Sequence, residues 1–303
     1  MRQLARIFPR LPSATSQLLG PGDDAAVVAA PDGRFVVTTD MMIHGPDFRL
    51  AWSTPFDLGW KAAASNLADV AAMGATPTAL VVAIAAPADT PVSTLTGIAD
   101  GLREGCAAMA PGCGVVGGDL SVSDTLTIAV TAFGDLGGRP PVMRSGARVG
   151  DVVAVAGVLG QSAAGLSALF AHGVTEPGAL RDDPLVIAQL RPHPPIALGV
   201  EAALAGATSM IDLSDGLALD ARRVARASGV AFDLSSAAVG SRGALDGGED
   251  HSLLATFADS RSVPEGFRVI GSVLAGEGVL VDGQPYTARG GWDPYADWSG
   301  EAG

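Results

Sequence analysis

Acidic residues recur where this chain turns, in a pattern that suits a metal-bound phosphate. Asp23 and Asp24 stand between a Gly-Pro-Gly turn and an apolar run in "GPGDDAAVV" (20–28). Thr39 and Asp40 end a second apolar run, and Gly117, Gly118 and Asp119 end a third. Asp212, Ser214 and Asp215 fall in "IDLSDG" (211–216), and Gly248, Glu249 and Asp250 in "GGED" (247–250). Asn66 and Asp69 are three apart on an expected helix and share a face. Any one cluster is explained by turn formation or helix capping; Ser214 and Asp215 could simply cap the helix after them. Six together offer carboxylates, hydroxyls and carbonyls, the hard oxygen donors that suit Mg2+. Glycines beside them let a phosphate approach the backbone closely. Such a site would repel a bare polyphosphate and bind it once metal ions bridge the two.

Other chemistries lack their residues. No G-x-x-x-x-G-K followed by Ser or Thr is present. "GCGVVG" (112–117) matches G-x-G-x-x-G, but "GGDLSVSD" leads it into another strand, whereas a dinucleotide fingerprint opens a helix. No H-E-x-x-H, G-x-S-x-G or Cys-His zinc pattern occurs. His44, His172, His193 and His251 are scattered and read as packing or surface residues. Lys61, the only lysine, reads as a helix lysine whose stem covers apolar surface. Cys106 and Cys113 have no metal or redox spacing.

The elements that must position the acids can be read from pattern. "AAVVAA" (25–30) and "RFVVTTD" (34–40) are predicted strands joined by a Pro-Asp-Gly turn, a hairpin signature. The stretch 53–74 is a predicted helix, capped by Thr54, with Pro55 in its first turn and Gly74 just past its end. A strand at 78–85, a helix at 91–109 and strands at 114–118 and 125–133 follow. Near the start, Leu4, Ile7, Phe8 and Leu11 suggest a short helix. Gly, Pro and Arg in 137–151 mark a boundary, which divides the chain into 1–140 and 141–303. Beyond it, strands are expected at 151–157, 209–213, 230–234, 252–257, 267–273 and 278–281. Helices are expected at 161–172, 184–190, 195–205 and 215–228. Strands and helices mix in both halves, so two α/β (α+β) domains fit.

Length and composition agree with a packed enzyme-sized chain of 303 residues, 48% hydrophobic. A net charge of −13 argues against nucleic acid and anionic membrane as partners. No secretory signal or span of bilayer length is visible, and a cytoplasmic protein with free thiols is expected.

"GPGDDAAVV", "TTDMMIHGPDF", "KAAASNLADVAAMGATP", "GGDLSVSD", "VMRSGARVGD", "IDLSDGLALD" and "GGEDHSLL" occur in the order found in thiamine-monophosphate kinases, and the resemblance covers nearly the whole chain. Most single motifs are shared with a wider superfamily of ATP-dependent synthetases, including aminoimidazole ribonucleotide synthetase. The resemblance implies a two-domain fold whose N-terminal domains pair into a β-barrel in a homodimer, with ATP and Mg2+ in the cleft. It implies transfer of the γ-phosphoryl group of ATP to thiamine phosphate. Asp24, Thr38, Thr39, Asp40, Asp69, Asp119, Asp212 and Asp215 would be metal ligands. Gly118, Asp119, Arg144 and Ser214 would touch ATP, and Asp47, Glu249 and Trp292 would lie near thiamine phosphate. The chain departs from the pattern at Asp47, where many members carry His; a carboxylate there could face the cationic ring or a metal. The alternatives are another synthetase of the superfamily and a non-catalytic nucleotide- or ion-binding protein.

Overall fold

The computed structural model describes residues 7–19, 27–173 and 180–291. Strands β1 (Gln17–Leu19) and β2 (Val27–Val28) pair as a small antiparallel ribbon. Strands β3 (Val36–Ile43), β4 (Thr76–Ala86), β5 (Gly114–Val122) and β6 (Thr127–Asp135) form a four-stranded sheet in the order β3-β6-β4-β5. Only β4 and β5 run parallel, because helix α2 (Val92–Met109) crosses between them.

The expected hairpin does not form. Its turn is present, with Gly33 at φ +75° donating to Ala30 O. The two strands then part: β2 joins β1, and β3 pairs along its full length with β6. A local turn signal cannot report that a better partner lies far along the chain. The short helix expected near the start is a 3-10 turn (Phe8–Arg10) in the part described.

Helix α1 (Pro55–Ala72) sits between two sheets. Thr54 and Asp57 form a reciprocal capping box, Pro55 fills the first turn, and Gly74 at φ +73° follows the end. Ala63, Ala64, Leu67, Ala68, Val70 and Ala71 are fully buried, so the helix is enclosed nearly all round. One side meets Leu80, Ile128, Val130 and Ala132 of the first sheet. The other meets Ala154, Met210, Leu253 and Phe257 of the second, in one continuous core. Small side chains let both sheets come close.

The second sheet has seven strands in the order β13-β12-β9-β11-β7-β10-β8. These are β7 (Val152–Ala156), β8 (Ser209–Leu213), β9 (Ala231–Leu234), β10 (Ser252–Phe257), β11 (Phe267–Leu274), β12 (Gly278–Val281) and β13 (Gln284–Pro285). Its central strands are buried on both faces. Ala154 and Ala156 face α1, while Val153, Val155, Ile211 and Leu213 face a second core with Val224 and Phe232. Helices α3 (Gln161–His172), α4 (Pro184–Leu190), α5 (Ile196–Leu204), α6 (Leu217–Ser228), α7 (Ser236–Val239) and α8 (Arg242–Asp246) complete the chain. No helix among the described residues is long and apolar enough to cross a membrane.

Candidate active site at the seam between the sheets

Strand β3 and helix α1 bring the first acids together. Thr38 donates to Asp69 Oδ2 at 2.9 Å. Asp40 lies two residues along the same strand and accepts from Met41 N at 2.9 Å. Lys61, Ser65 and Asp69 recur every fourth residue, so α1 carries them as one stripe. Asn66 is 1% exposed; its amide donates to Ala62 O at 2.9 Å and its Oδ1 has no partner among the described residues.

The second sheet supplies the facing wall. Asp212, the penultimate residue of β8, accepts from buried His251 Nδ1 at 3.2 Å. Glu249 N donates to Ser214 O at 2.7 Å, and His251 N to Leu213 O at 3.1 Å, so loop 247–251 is laced onto the end of β8. A side chain at Gly248 would put Cβ 2.5 Å from Ser214 O, which is why glycine stands there. Glu249 and His251 both have positive φ, at 71° and 50°, a conformation that costs non-glycine residues energy and clusters at functional sites. The effect is to aim three consecutive side chains at three elements. Glu249 pairs with Lys61 on α1. Asp250 accepts from Gly160 N and Ser162 N at the start of α3, and His251 reaches Asp212 on β8.

These charges act on one another. Burial raises Asp69 to about 6, and Asp212 and Asp40 add repulsion, while Thr38 opposes it. Desolvation by the walls of the seam also raises Asp40 and Asp47, with Glu249 adding to both. Burial alone would raise Glu249, yet Lys61 and His251 hold it below the ordinary carboxylate range. Burial works against charge on His251, but Asp212 and Glu249 outweigh it and hold the imidazole above its ordinary value. Asp47 stays at the edge of this group, accepting from Ile43 N at 2.7 Å.

The remaining expected residues lie around this centre or apart from it. Ser214 and Asp215 occupy the turn beyond Asp212. Asp215 pairs with Arg223 at 2.6 Å, and Asp220, fully buried, accepts from Asp215 N and Gly216 N. Thr39 alternates away from Thr38 and donates to Val130 O at 2.9 Å, beside Thr131. Gly118 and Asp119 lie on edge strand β5, three strand spacings or about 14 Å across the sheet from β3. Gly118 presses on Val82, where a Cβ would fall 1.9 Å from the carbonyl oxygen, and Asp119 accepts from Ser121 at 2.7 Å. Arg144 is exposed in a 3-10 turn (Arg144–Gly146) held to α6 by Ser228, which donates to Arg144 O at 2.9 Å. Behind it, Val142, Met143, Leu204 and Thr208 line a cavity of about 380 Å³ with no acidic residue. Asp23, Asp24 and Trp292 lie outside the described residues.

Two side chains at the seam escaped the sequence reading. Lys61 is 7% exposed and ion-paired, where a solvent-reaching lysine was expected. Its place on the Asp69 stripe was the available signal. His251 is buried against Asp212, and its position directly after Glu249 and Asp250 was the only hint.

The residues present suit a hard cation. A buried amide oxygen without a partner and carboxylates that repel one another are what an absent positive charge would relieve. Among the described residues, no three His, Cys, Asp or Glu side chains form a group that could hold a metal ion alone.

Comparison with known proteins gives this arrangement its context. The N-terminal domain of AIR synthase related proteins matches residues 22–136. The thiamine-monophosphate kinase of Mycobacterium tuberculosis is 48% identical over 298 residues, covering 92% of this chain and 86% of its own. A solved thiamine-monophosphate kinase from Stenotrophomonas maltophilia superposes with a TM-score of 0.78 at 31% identity, covering 94% of this chain and 96% of its own. AaThiL complexed with AMPPCP and TMP superposes with a TM-score of 0.76 at 33% identity, covering 89% and 90%. By identity and coverage, the chain belongs to the thiamine-monophosphate kinase family.

Proposed function

We infer that the chain transfers the γ-phosphoryl group of ATP to thiamine phosphate, giving thiamine diphosphate. The observation that carries this reading is the meeting of Thr38, Asp40 and Asp69 with Asp212 and Glu249 at one seam, in a chain of this family. AMPPCP in the related complex is an ATP analogue with a non-transferable γ-phosphoryl group, which supports ATP as the donor.

The accepting phosphate is already an anionic nucleophile, so no general base is required. Positioning and charge neutralisation carry the reaction. Thr38, Asp40, Asp69 and Asp212 would share with phosphate oxygens in holding several Mg2+ ions, and Asp24, Thr39, Asp119 and Asp215 would be further ligands. Bound there, Mg2+ would supply Lewis-acid neutralisation of the donor and acceptor phosphates. Gly118 would touch ATP beside Asp119, and the exposed fork of Arg144 can clamp a phosphate bidentately. Ser214 would touch ATP from the same side. Glu249 and Asp47 face the region where the cationic vitamin would lie, with Trp292 as an aromatic partner.

A homodimer fits the open face of the first sheet. Phe35, Val37 and Met41 are 57%, 55% and 54% exposed on one face of and beside edge strand β3, an apolar strip broken only by Thr39. Pairing two such faces closes a barrel.

The test is ATP consumption with purified protein and Mg2+, offered thiamine phosphate, an aminoimidazole ribonucleotide precursor or no acceptor. Turnover with thiamine phosphate alone is expected. Turnover only with the precursor, or none with any acceptor, would overturn the reading.

A further inference from the structure

Lys61, Glu249, Ser162 and Gln189 form a closed ring of contacts that ties helix α1 to helices α3 and α4. Lys61 Nζ pairs with Glu249 Oε2. With its amide turned to satisfy both neighbours, Gln189 accepts from Lys61 Nζ at 3.2 Å and donates to Ser162 O at 3.0 Å. Ser162 Oγ closes the ring by donating to Glu249 O at 3.0 Å. Lys61 and Gln189 are each 7% exposed, and Ser162 is fully buried. The Glu249 side chain is different: Oε2 is buried against Lys61, while 41% of the side chain remains exposed.

We propose that Lys61 is a positioning residue that fixes the Glu249 carboxylate for the cationic ring of the acceptor, and so sets selectivity for thiamine phosphate. The inference rests on the functional reading above. Glu249 is held at its backbone by Ser162 and at its side chain by Lys61, with its left-handed φ locked in between. A carboxylate so held keeps a fixed place with 41% of its side chain still exposed, which a fixed cation rewards and a neutral ring does not. The choice of lysine has a physical reason. It is the only lysine among 19 basic residues, in a chain that otherwise uses arginine. A compact ammonium can reach two acceptors in a confined space, where a planar guanidinium fork needs more room.

The experiment measures KM and kcat for wild type, Lys61→Met, Glu249→Gln and the double variant, with circular dichroism and Tm as folding controls. Lys61→Met should raise the KM for thiamine phosphate roughly 30-fold or more, the scale for a buried charge that loses its partner. The KM for ATP should stay within about twofold. Glu249→Gln should raise the same KM, and adding Lys61→Met to it should change little, because Lys61 acts through Glu249. Equal rises in both KM values, or additive effects in the double variant, would overturn the proposal. If Lys61→Met does not fold, Glu249→Gln decides: an unchanged KM for thiamine phosphate refutes the role. Lys61→Arg, which keeps the charge, should recover part of the loss. An inactive wild-type chain would defeat the functional reading and this inference with it; an active one without the KM split defeats this inference alone.

Discussion

Thr38 and Asp69 are joined by a 2.9 Å hydrogen bond that locks strand β3 to helix α1 where both face the second sheet. Asp69 is therefore fixed, buried and crowded, with its carboxyl raised to about 6. Its ionised form costs stability: the contribution is favourable below the ordinary carboxylate range near 4 and is lost as pH rises through about 6. Asp69→Asn removes the charge at nearly constant volume. Without divalent cation, its Tm should match or exceed that of wild type above pH 6, with the difference vanishing below pH 4. Phosphoryl transfer should be lost at every pH. Near-normal turnover at ordinary Mg2+ concentration would remove Asp69 from the site.

Asp220 organises the turn that presents Asp215. It is completely buried and accepts from Asp215 N, Gly216 N and Arg223. Asp220→Ala orphans those donors and should cost about 1–3 kcal/mol in urea unfolding, read as a lower midpoint at constant slope. Burial raises this carboxyl to about 7, so a neutral Asn that keeps an acceptor oxygen should cost less. A larger loss for Asn than for Ala would contradict this account.

Transfer should be direct. The acceptor is already nucleophilic, and His251, the imidazole placed at the seam, is tied to Asp212 by Nδ1 and buried. Net inversion at a chirally labelled γ-phosphorus is expected. Retention would require a phospho-enzyme and a different role for the protein.

The exposed strip on β3 gives an oligomer test. Met41→Glu places a charge on the exposed face of β3 that carries Phe35 and Val37. It should convert a dimer to monomer in sedimentation velocity while leaving far-ultraviolet circular dichroism unchanged. An unaltered dimer would place the interface elsewhere.

Most regular elements were legible because their signals are local. Thr54, Pro55 and Gly74 delimit α1 by chemistry that acts within one turn, and the structure places the helix between them. "SMIDL" is apolar, short and bounded, and becomes β8. The hairpin failed for the converse reason: the partner of β3 is chosen by register with β6, which no local turn encodes. The same division runs through the site. Acidic turns at strand ends singled out Asp40, Asp212 and Glu249, and helical spacing from Asn66 singled out Asp69. Lys61 and His251 became visible only when folding placed them against Glu249 and Asp212. The separation of Thr39 from Thr38 follows from strand alternation, which a run of adjacent hydroxyls conceals.

Helix α1 shares its flanks between two sheets, and that has a consequence for how the protein is made. The helix leaves the ribosome long before strands β8 and β10 exist, so its second flank waits bare while more than half of the chain is still being synthesised. Contacts between segments so distant in sequence form late and leave apolar surface open in the meantime. A fragment ending near residue 140 would keep Ala71 and its neighbours uncovered on that flank, where Gly199 of α5 otherwise presses, and precipitate when expressed alone. The nascent chain is a natural client for a chaperone until its last strands arrive.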